Sequence, residues 1–259
     1  MVHRVRKAVI PMAGKGTRFY PLTQTIPKAL IALGAKPVIT YVLEEALESG
    51  LDDIILIVAK DHALIDTYIK HLKASDTRFA SVTIQTIVQA EPLGLGHAIL
   101  CAEHAVKNAP FVVLLADDVI DAKVPVAKQL IDQYAHHQRC IIGVQNVPKT
   151  AVIHYGMVEG KRVTSKLTLV ESLIEKPALD AVTSQRATLG RYLLTPAIFD
   201  NTKESKPGAH GEIQISDAIH ALAQTEPLYA YTFEGRRYDT GTPEGWREAV
   251  IGLLSSQKK

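Results

Sequence analysis

Cysteine is nearly absent from this chain of 259 residues, which contains only Cys101 and Cys140. Two isolated cysteines build neither a disulfide framework nor a CxxC metal site. Long apolar runs are also missing, because no stretch reaches the roughly 18 consecutive apolar residues of a membrane-spanning helix. We therefore expect a protein of the reducing cytoplasm that has no membrane partner.

Net charge is small as well, +2 at pH 7, and the basic residues are spread along the chain. This distribution argues against a nucleic-acid partner held by a dense basic patch. The ten histidines show no HExxH spacing, and no Gly-x-Ser-x-Gly elbow occurs. The sequence therefore disfavours a zinc peptidase and a serine hydrolase.

Short apolar runs alternate with segments of helical period, which is typical of an α/β protein with a layered sheet covered by helices. The pattern predicts strands at 8–12, 54–58, 82–88, 111–115, 141–147, 157–159, 167–174, 187–194 and 228–233. It predicts helices at 37–50, 61–72, 97–106, 125–134, 213–223 and 243–254, and a surface loop at 201–209. We expect one mixed sheet in one domain, 1–259.

A glycine-bearing loop follows the first predicted strand, in the segment VIPMAGKGTRFYPLT at 9–23. Gly14 and Gly16 lack side chains, so backbone N–H groups there can approach phosphate oxygens closely. Arg18 and Lys28 add positive charge. The spacing excludes a dinucleotide fingerprint, since position 19 is phenylalanine, and a P-loop, since the loop lysine precedes a glycine. A tight glycine turn is the alternative.

The loop resembles the signature of the sugar-1-phosphate nucleotidyltransferases (sugar-nucleotide pyrophosphorylases). The matching residues are Ala13, Gly14, Gly16, Thr17, Arg18, Pro21, Thr23, Pro27 and Lys28. The resemblance implies that this loop binds a nucleoside triphosphate, with Ala13 and Gly14 meeting the base through backbone groups. Arg18 and Lys28 would then stabilise charge on the reacting phosphates.

A second glycine motif lies at 89–98, between a predicted strand and a predicted helix. Its segment GLGHA resembles the uridylyltransferase version of the family, which implies that Gln89 and Gly94 recognise uracil. The alternative is a glycine turn that caps a helix. Further along, the segment 211–219 also resembles uridylyltransferases. We expect its carboxylates to orient the site without contacting the ligand, and capping of the following helix is the alternative.

Acidic residues follow at two places. Asp117 and Asp118 end an apolar strand, and ligands of open α/β sheets bind beyond the carboxyl ends of strands. Adjacent acids at that position suit a hard divalent cation. The resemblance assigns Asp117 and the distant Asp239 to one Mg²⁺ ion. For Asp118 we expect contact with the nucleotide, with a solvated side chain as the alternative. Exposed turns are the alternative for both segments.

The acceptor side of the site falls in the second half of the chain. Glu175 can accept hydrogen bonds from sugar hydroxyls, and Lys176 can hold a phosphate. Three short segments are involved, at 155–156, 175–177 and 190–192. Each of them alone is typical of a surface turn, but their order along the chain resembles the sugar-phosphate half of the family. The resemblance adds Gly156 and Gly190 to this group.

The resemblance as a whole implies a Rossmann-like, mixed, mostly parallel sheet of the nucleotide-diphospho-sugar transferase type. It implies a nucleotide-binding part up to about residue 120, a sugar-phosphate-binding remainder, and a homodimer or homotetramer. The implied reaction is uridylyl transfer from UTP to glucose 1-phosphate. The alternatives are dTTP or another sugar 1-phosphate, a non-catalytic nucleotide-sugar sensor, and a glycosyltransferase, although residues 117–118 lack an Asp-x-Asp spacing.

Two departures from the family accompany this resemblance. Ala29 follows Lys28 where the uridylyltransferases usually carry glutamate. The connection 72–82 is shorter than in those proteins, where a helical insertion is usual.

Overall fold

The computed structural model describes residues 4–208 and 211–256. The strands are β1 (Lys7–Pro11), β2 (Ala32–Leu33), β3 (Lys36–Pro37), β4 (Asp53–Val58), β5 (Thr83–Val88), β6 (Phe111–Leu114), β7 (Asp118–Asp121), β8 (Ile141–Asn146), β9 (Gly156–Arg162), β10 (Leu167–Glu175), β11 (Arg186–Leu194), β12 (Tyr229–Thr232) and β13 (Arg236–Asp239). The α-helices are α1 (Val38–Glu48), α2 (Ala63–Ser75), α3 (Gly94–Leu100), α4 (Glu103–Val106), α5 (Val126–His137), α6 (Ala197–Glu204), α7 (Ile215–Thr225) and α8 (Pro243–Ser256).

Nine strands form the central sheet, in the order β5-β4-β1-β6-β11-β8-β12-β10-β9. Seven of them run in one direction, and only β10 and β11 run in the other. Helices α1, α2 and α5 pack on one face, and α3, α4, α6 and α7 pack on the other. The prediction of a mixed, mostly parallel α/β sheet is confirmed.

The centre of the sheet follows from its apolar sequence. In β1, Ala8, Val9 and Ile10 are fully buried between the neighbouring strands β4 and β6. Ala8 and Ile10 face one hydrophobic core and Val9 faces the other, as strand alternation requires. A continuous apolar run is what a strand covered on both faces needs.

The parallel strands β1, β4, β5 and β6 end at the same edge of the sheet. The glycine loop leaves β1, Gln89 follows β5, and Asp117 comes after β6. Three sequence motifs therefore meet at this edge because the strands that precede them are parallel neighbours.

A separate two-stranded ribbon, β7 with β13, brings in the C-terminal motif. Asp118 and Asp239 are direct partners in this antiparallel pair. The sequence patterns predicted neither strand. Asp239 is thus the last residue of a strand, and the turn predicted around it begins only after it.

Two predicted boundaries were wrong. The helix predicted at 97–106 is two helices, α3 and α4, and α3 begins at Gly94 within the glycine motif. The loop predicted at 201–209 begins inside α6, whose last residue is Glu204. Phe199 and Thr202 anchor that helix in the interior, and Ala209 lies outside the described residues. In the part of the chain that the structure describes, no helix is long and apolar enough to cross a bilayer.

Candidate active site

The glycine loop after β1 folds back on itself. Gly16 adopts φ +64°, a left-handed conformation that favours glycine. Its carbonyl accepts a hydrogen bond of 2.7 Å from Thr23 Oγ1. A Cβ on Gly16 would lie 3.1 Å from the Cβ of Lys28, so the returning chain brings Lys28 against the loop. The protein's own packing and backbone thus account for glycine at position 16.

Gly14 is different. Its φ lies outside the range that L side chains rarely adopt, and no described atom lies within 4 Å of the point where a Cβ would be. Arg18 and Thr17 are exposed on the same loop. No carboxylate of the described residues forms an ion pair with Arg18. The loop therefore presents open backbone and an unpaired guanidinium to a ligand.

Two cavities flank this loop. The larger, of about 530 Å³, is lined by both glycine motifs, by the strand ends and by the segment before α7. Its walls include Pro11, Ala13, Gly14, Lys15, Gln89, Pro92, Gly94, Leu95, Ala98, Leu115, Glu212 and Gln214. The smaller, of about 260 Å³, lies between the loop and α2 and includes Lys28. The structure thus brings together Ala13, Gly14, Gln89 and Gly94, as the sequence predicted.

Gln89 is 7% exposed and is oriented by its own surroundings. Its Nε2 donates to the carbonyl of Gly94 at 3.1 Å and lies 3.0 Å from His97 Nδ1. Gly94 adopts φ +96°, and a Cβ there would lie 2.7 Å from the carbonyl oxygen of Ile213. Gly94 is therefore needed for close packing as well as for the cavity wall.

The segment 212–214 docks against the second glycine motif. Ile213 donates its backbone N–H to Leu93 O at 2.8 Å and accepts from the Gly96 N–H at 2.8 Å. This docking places Glu212 and Gln214 on the wall of the larger cavity. For the carboxylates of the segment 211–219 the sequence predicted a supporting role without contact to the ligand, but Glu212 lines the cavity itself.

The two predicted metal ligands converge. Asp117 follows β6 and Asp239 ends β13, and both point toward Gly241. A Cβ on Gly241 would lie 2.7 Å from Asp117 Oδ2 and 2.8 Å from Asp239 Oδ1. Lys28 Nζ forms a 2.5 Å ion pair with Asp117. Burial favours the neutral form of Asp117, but the adjacent Lys28 ammonium outweighs it and holds the pKa of that carboxyl below its ordinary value.

Asp118 is 2% exposed, so the exposed-turn alternative is wrong for this residue. Its Oδ1 accepts from Arg237 Nε at 2.6 Å. Its Oδ2 lies 2.0 Å from the point where a Cβ on Gly190 would be, and Gly190 adopts φ +66°. Burial raises the pKa of Asp118 to about 6 despite the opposing charge of Arg237. The Asp118 carboxylate thus lies between Arg237 and Gly190.

Arginines that the sequence patterns did not single out hold this cluster. Arg237 Nη2 lies 3.5 Å from Asp239 Oδ2 and its Nη1 lies 3.4 Å from the hydroxyl of Tyr155, so Arg237 links Asp118 to Asp239. Arg191 is completely buried in β11. Its guanidinium donates to Glu45 at 2.7 and 3.0 Å and to the Asp118 carbonyl at 2.7 Å. An arginine inside an apolar strand was the one local signal of this role.

The predicted acceptor residues form a second group. Glu175 accepts a hydrogen bond from Ser216 Oγ, and a Cβ on Gly156 would lie 3.1 Å from Glu175 Oε2. Lys176 adopts φ +43°, and its side chain is 59% exposed with Nζ 3.7 Å from Glu175 Oε1. Gly190 packs against Asp118 rather than against these residues. The group presents a fixed carboxylate beside an accessible ammonium.

A divalent cation fits the paired carboxylates. Among residues 4–208 and 211–256, no group of three or more His, Cys, Asp or Glu side chains could hold a metal ion. Mg²⁺ is usually bound by one or two carboxylates together with substrate phosphates. The converging oxygens of Asp117 and Asp239 are such a pair, and glycine at 241 puts no Cβ between them. The same two oxygens contact Lys28 Nζ and the Gly241 N–H.

The family follows from comparison with known proteins. The model of the family described as nucleotidyl transferase matches residues 7–256. This chain belongs to the nucleotidyl transferase family. Enzymes of this family generally use a divalent metal ion, in keeping with the carboxylate pair.

Relatives of this nucleotidyl transferase match over nearly the whole chain. A UTP–glucose-1-phosphate uridylyltransferase of Bacillus subtilis is 38% identical, over 99% of this chain and 93% of the relative. One of Staphylococcus haemolyticus is 37% identical, over 96% and 92%. A solved UDP-glucose pyrophosphorylase complexed with UDP-glucose superposes with a TM-score of 0.93 at 34% identity, covering 97% of this chain and 99% of that one. A UTP-bound enzyme from Acinetobacter baumannii gives 0.84 at 31% identity, covering 98% of each chain.

Proposed function

We propose that this chain transfers the uridylyl group of UTP to glucose 1-phosphate, giving UDP-glucose and pyrophosphate. The observation that carries the proposal is the cavity of about 530 Å³ that joins the glycine loop to Gln89 and Gly94. The names of the relatives and the UTP and UDP-glucose complexes of the similar structures support the same reaction.

Base recognition is assigned to Gln89. Its Nε2 is directed at the Gly94 carbonyl and His97 Nδ1, which leaves Oε1 as the atom for a ligand. A carbonyl oxygen accepts, so it suits a base with a protonated ring nitrogen, such as N3–H of uracil or thymine. Cytosine offers an acceptor at that position and is disfavoured. Ala13 and Gly14 line the same cavity and complete the base pocket through their backbone groups.

The phosphates are assigned to the loop and the carboxylate pair. Arg18 and Lys28 neutralise the triphosphate, with Gly16 and Thr17 shaping the loop around it. Asp117 and Asp239 hold the proposed Mg²⁺, which supplies positive charge to phosphate oxygens when it is bound. Asp118 is assigned to the nucleotide side of the site, where its link to Arg237 keeps Asp239 in position.

The proposed transfer step requires no general base from the protein. An oxygen of the glucose 1-phosphate phosphate, already an anion, forms the new bond to the α-phosphorus, and the bond from that phosphorus to pyrophosphate breaks. Repulsion between anions is the main barrier, so positioning and charge neutralisation supply most of the rate. Glu175 accepts hydrogen bonds from the sugar hydroxyls, and Lys176 binds the sugar phosphate. Gly156 is assigned to the same group because it lies beside Glu175, whereas Gly190 contributes indirectly by making room for Asp118.

Further parts of the proposal rest on the family resemblance. They are a single domain, with nucleotide binding up to about residue 120 and sugar-phosphate binding beyond it, a cytoplasmic location, and magnesium as the metal. A homodimer or homotetramer is also proposed, and light scattering on the purified protein tests it.

The deciding experiment measures pyrophosphate release with magnesium, pairing each nucleoside triphosphate with glucose 1-phosphate and then with other sugar 1-phosphates. We expect the highest kcat/KM with UTP and glucose 1-phosphate, and little turnover with CTP. Turnover only with another pair would retain the mechanism and overturn the substrate assignment. No release with any pair would favour the nucleotide-sugar sensor.

A further inference from the structure

The far end of the sheet closes on itself. Strands β11, β8, β12, β10 and β9 are neighbours in that order, and β9 returns to β11 through the pair Ala187 and Met157. Five strands therefore form a closed ring of pairings. Side chains on one face of these strands point into the ring.

A cavity of about 210 Å³ lies at this ring and takes one lining residue from each of its five strands. The lining residues are Asn146, Arg162, Ser165, Thr168, Arg186 and Thr232. The register agrees with this arrangement, because Arg186 is paired with Asn146 and Thr168 is paired with Arg162. The cavity shares no lining residue with the two cavities beside the glycine loop.

The lining is basic and contains no acid. Of the described residues, no carboxylate forms an ion pair with Arg162 or Arg186. The carboxylate of Glu159, on the same strand as Arg162, is held by the backbone N–H groups of Thr183 at 2.7 Å and Ser184 at 2.9 Å. Glu159 is therefore already engaged and stays outside the lining. Burial opposes its charged form, but these hydrogen bonds and, to a smaller extent, the charge of Arg186 hold the pKa of Glu159 below its ordinary value.

The Nε atom of Arg186 is buried and has no hydrogen-bond partner in the part of the chain that the structure describes. A buried donor without a partner is costly, so such an atom indicates a missing acceptor. Arg162 Nε donates to the Thr164 carbonyl at 3.2 Å, and its remaining guanidinium donors have no hydrogen-bond partner among the described residues. The surrounding hydroxyls of Thr168, Ser165 and Thr232 can donate to the same acceptor.

We propose that this cavity is a second anion site, which binds a small tetrahedral oxyanion of the phosphate class. Two guanidinium groups recognise such an oxyanion through charge-assisted hydrogen bonds, and three hydroxyls and an amide complete the shell. The site does not depend on nucleotidyl transfer, since its residues take no part in the proposed reaction.

The test is calorimetric titration of the full-length protein with inorganic phosphate, at constant ionic strength set with chloride. Arg186→Gln and Arg162→Gln each remove charged donors and are expected to weaken phosphate binding at this site about tenfold or more. The matched control is Lys161→Gln. Lys161 is the neighbour of Arg162 on β9, points to the opposite face and is 80% exposed. The Lys161→Gln substitution therefore removes one positive charge, as the arginine substitutions do, without changing the lining of the cavity.

Each outcome decides the proposal. A loss confined to the two arginine variants supports it. Unchanged binding in both arginine variants would overturn it, because the phosphate would then occupy the glycine loop. Equal weakening in Lys161→Gln would overturn it in favour of general surface attraction, and no phosphate binding by the wild-type protein would end it. If Arg186→Gln fails to fold, Arg162→Gln decides alone, since Arg162 lines the cavity and is exposed, so its replacement disturbs the core least.

Discussion

The glycine loop and the aspartate–arginine cluster both contain glycines, but these have different neighbours. At Gly14 the position of a Cβ is open, with no described atom within 4 Å. At Gly190 the same position lies 2.0 Å from Asp118 Oδ2. One glycine therefore leaves space for a ligand, and the other leaves space for the protein's own carboxylate. Variants at the two sites separate binding from folding.

The largest effect on folding stability is expected for Gly190→Ala. Its Cβ would clash with Asp118, and its backbone at φ +66° already disfavours any L side chain. We expect a loss of about 3 kcal/mol or more in the free energy of unfolding, measured with urea. Gly50→Ala is the control, because φ there is +81° with no atom near the new Cβ. A similar loss in both variants would rule out the contact with Asp118 as the cause.

Next is Asp117→Ala, which tests the carboxylate pair as a catalytic element. Removing the Asp117 carboxylate leaves Asp239 as the only carboxylate of the proposed metal site. Turnover is therefore expected to fall by about three orders of magnitude or more. Pyrophosphate release across a magnesium titration measures this effect, and circular dichroism checks the fold. The control is Asp121→Ala, at the exposed far end of β7. Unchanged turnover in Asp117→Ala would disprove the metal assignment.

Gly14→Ala is expected to have an intermediate effect on activity and none on the fold. The protein offers room for the methyl group, so the unfolding free energy should stay the same or rise by up to about 1 kcal/mol. If a nucleotide approaches this backbone, the added carbon displaces it and kcat/KM for UTP falls about tenfold to a hundredfold. Full activity would mean that the nucleotide does not approach Gly14.

The smallest effect is expected for Lys176→Ala in the acceptor group. Its exposed ammonium makes one charged contact, so the KM for glucose 1-phosphate should rise about tenfold while the KM for UTP changes little. Steady-state kinetics with each substrate varied measures the two values. Lys161→Ala is the control on a neighbouring strand, and a matching rise there would indicate only a general charge effect.

Prediction from sequence was most accurate where burial is continuous. Strands such as β1, β4 and β6 are apolar runs, and their expected and observed bounds differ by only a residue or so. The family was also predicted correctly from the two glycine motifs. The ribbon strands β7 and β13 escaped notice because their sequences, DVID and RRYD, mix charged and apolar residues without a run. Helix α6 was partly taken for a loop because its last turn is polar.

The roles of the individual site residues stay predictions. Their positions show the same contrast between residues that local sequence motifs point to and residues that they miss. Gly14, Gln89 and Gly94 lie in the two glycine motifs, and the structure places both motifs on the wall of one cavity. Arg237 escaped notice because its partner Asp118 lies 119 residues away and no local pattern links the two.

The sequence by itself determined the α/β class, the central buried strands, the family, and the chemistry available in each loop. These properties depend on local residue order, namely apolar runs, glycines and charges within a few positions of one another. Only the tertiary structure decided that Asp118 would be buried against Arg237 and Gly190, that Asp117 and Asp239 would converge at Gly241, and that five strands would enclose an arginine-lined cavity. Those contacts depend on sheet register and strand order, which arise from the packing of the whole chain.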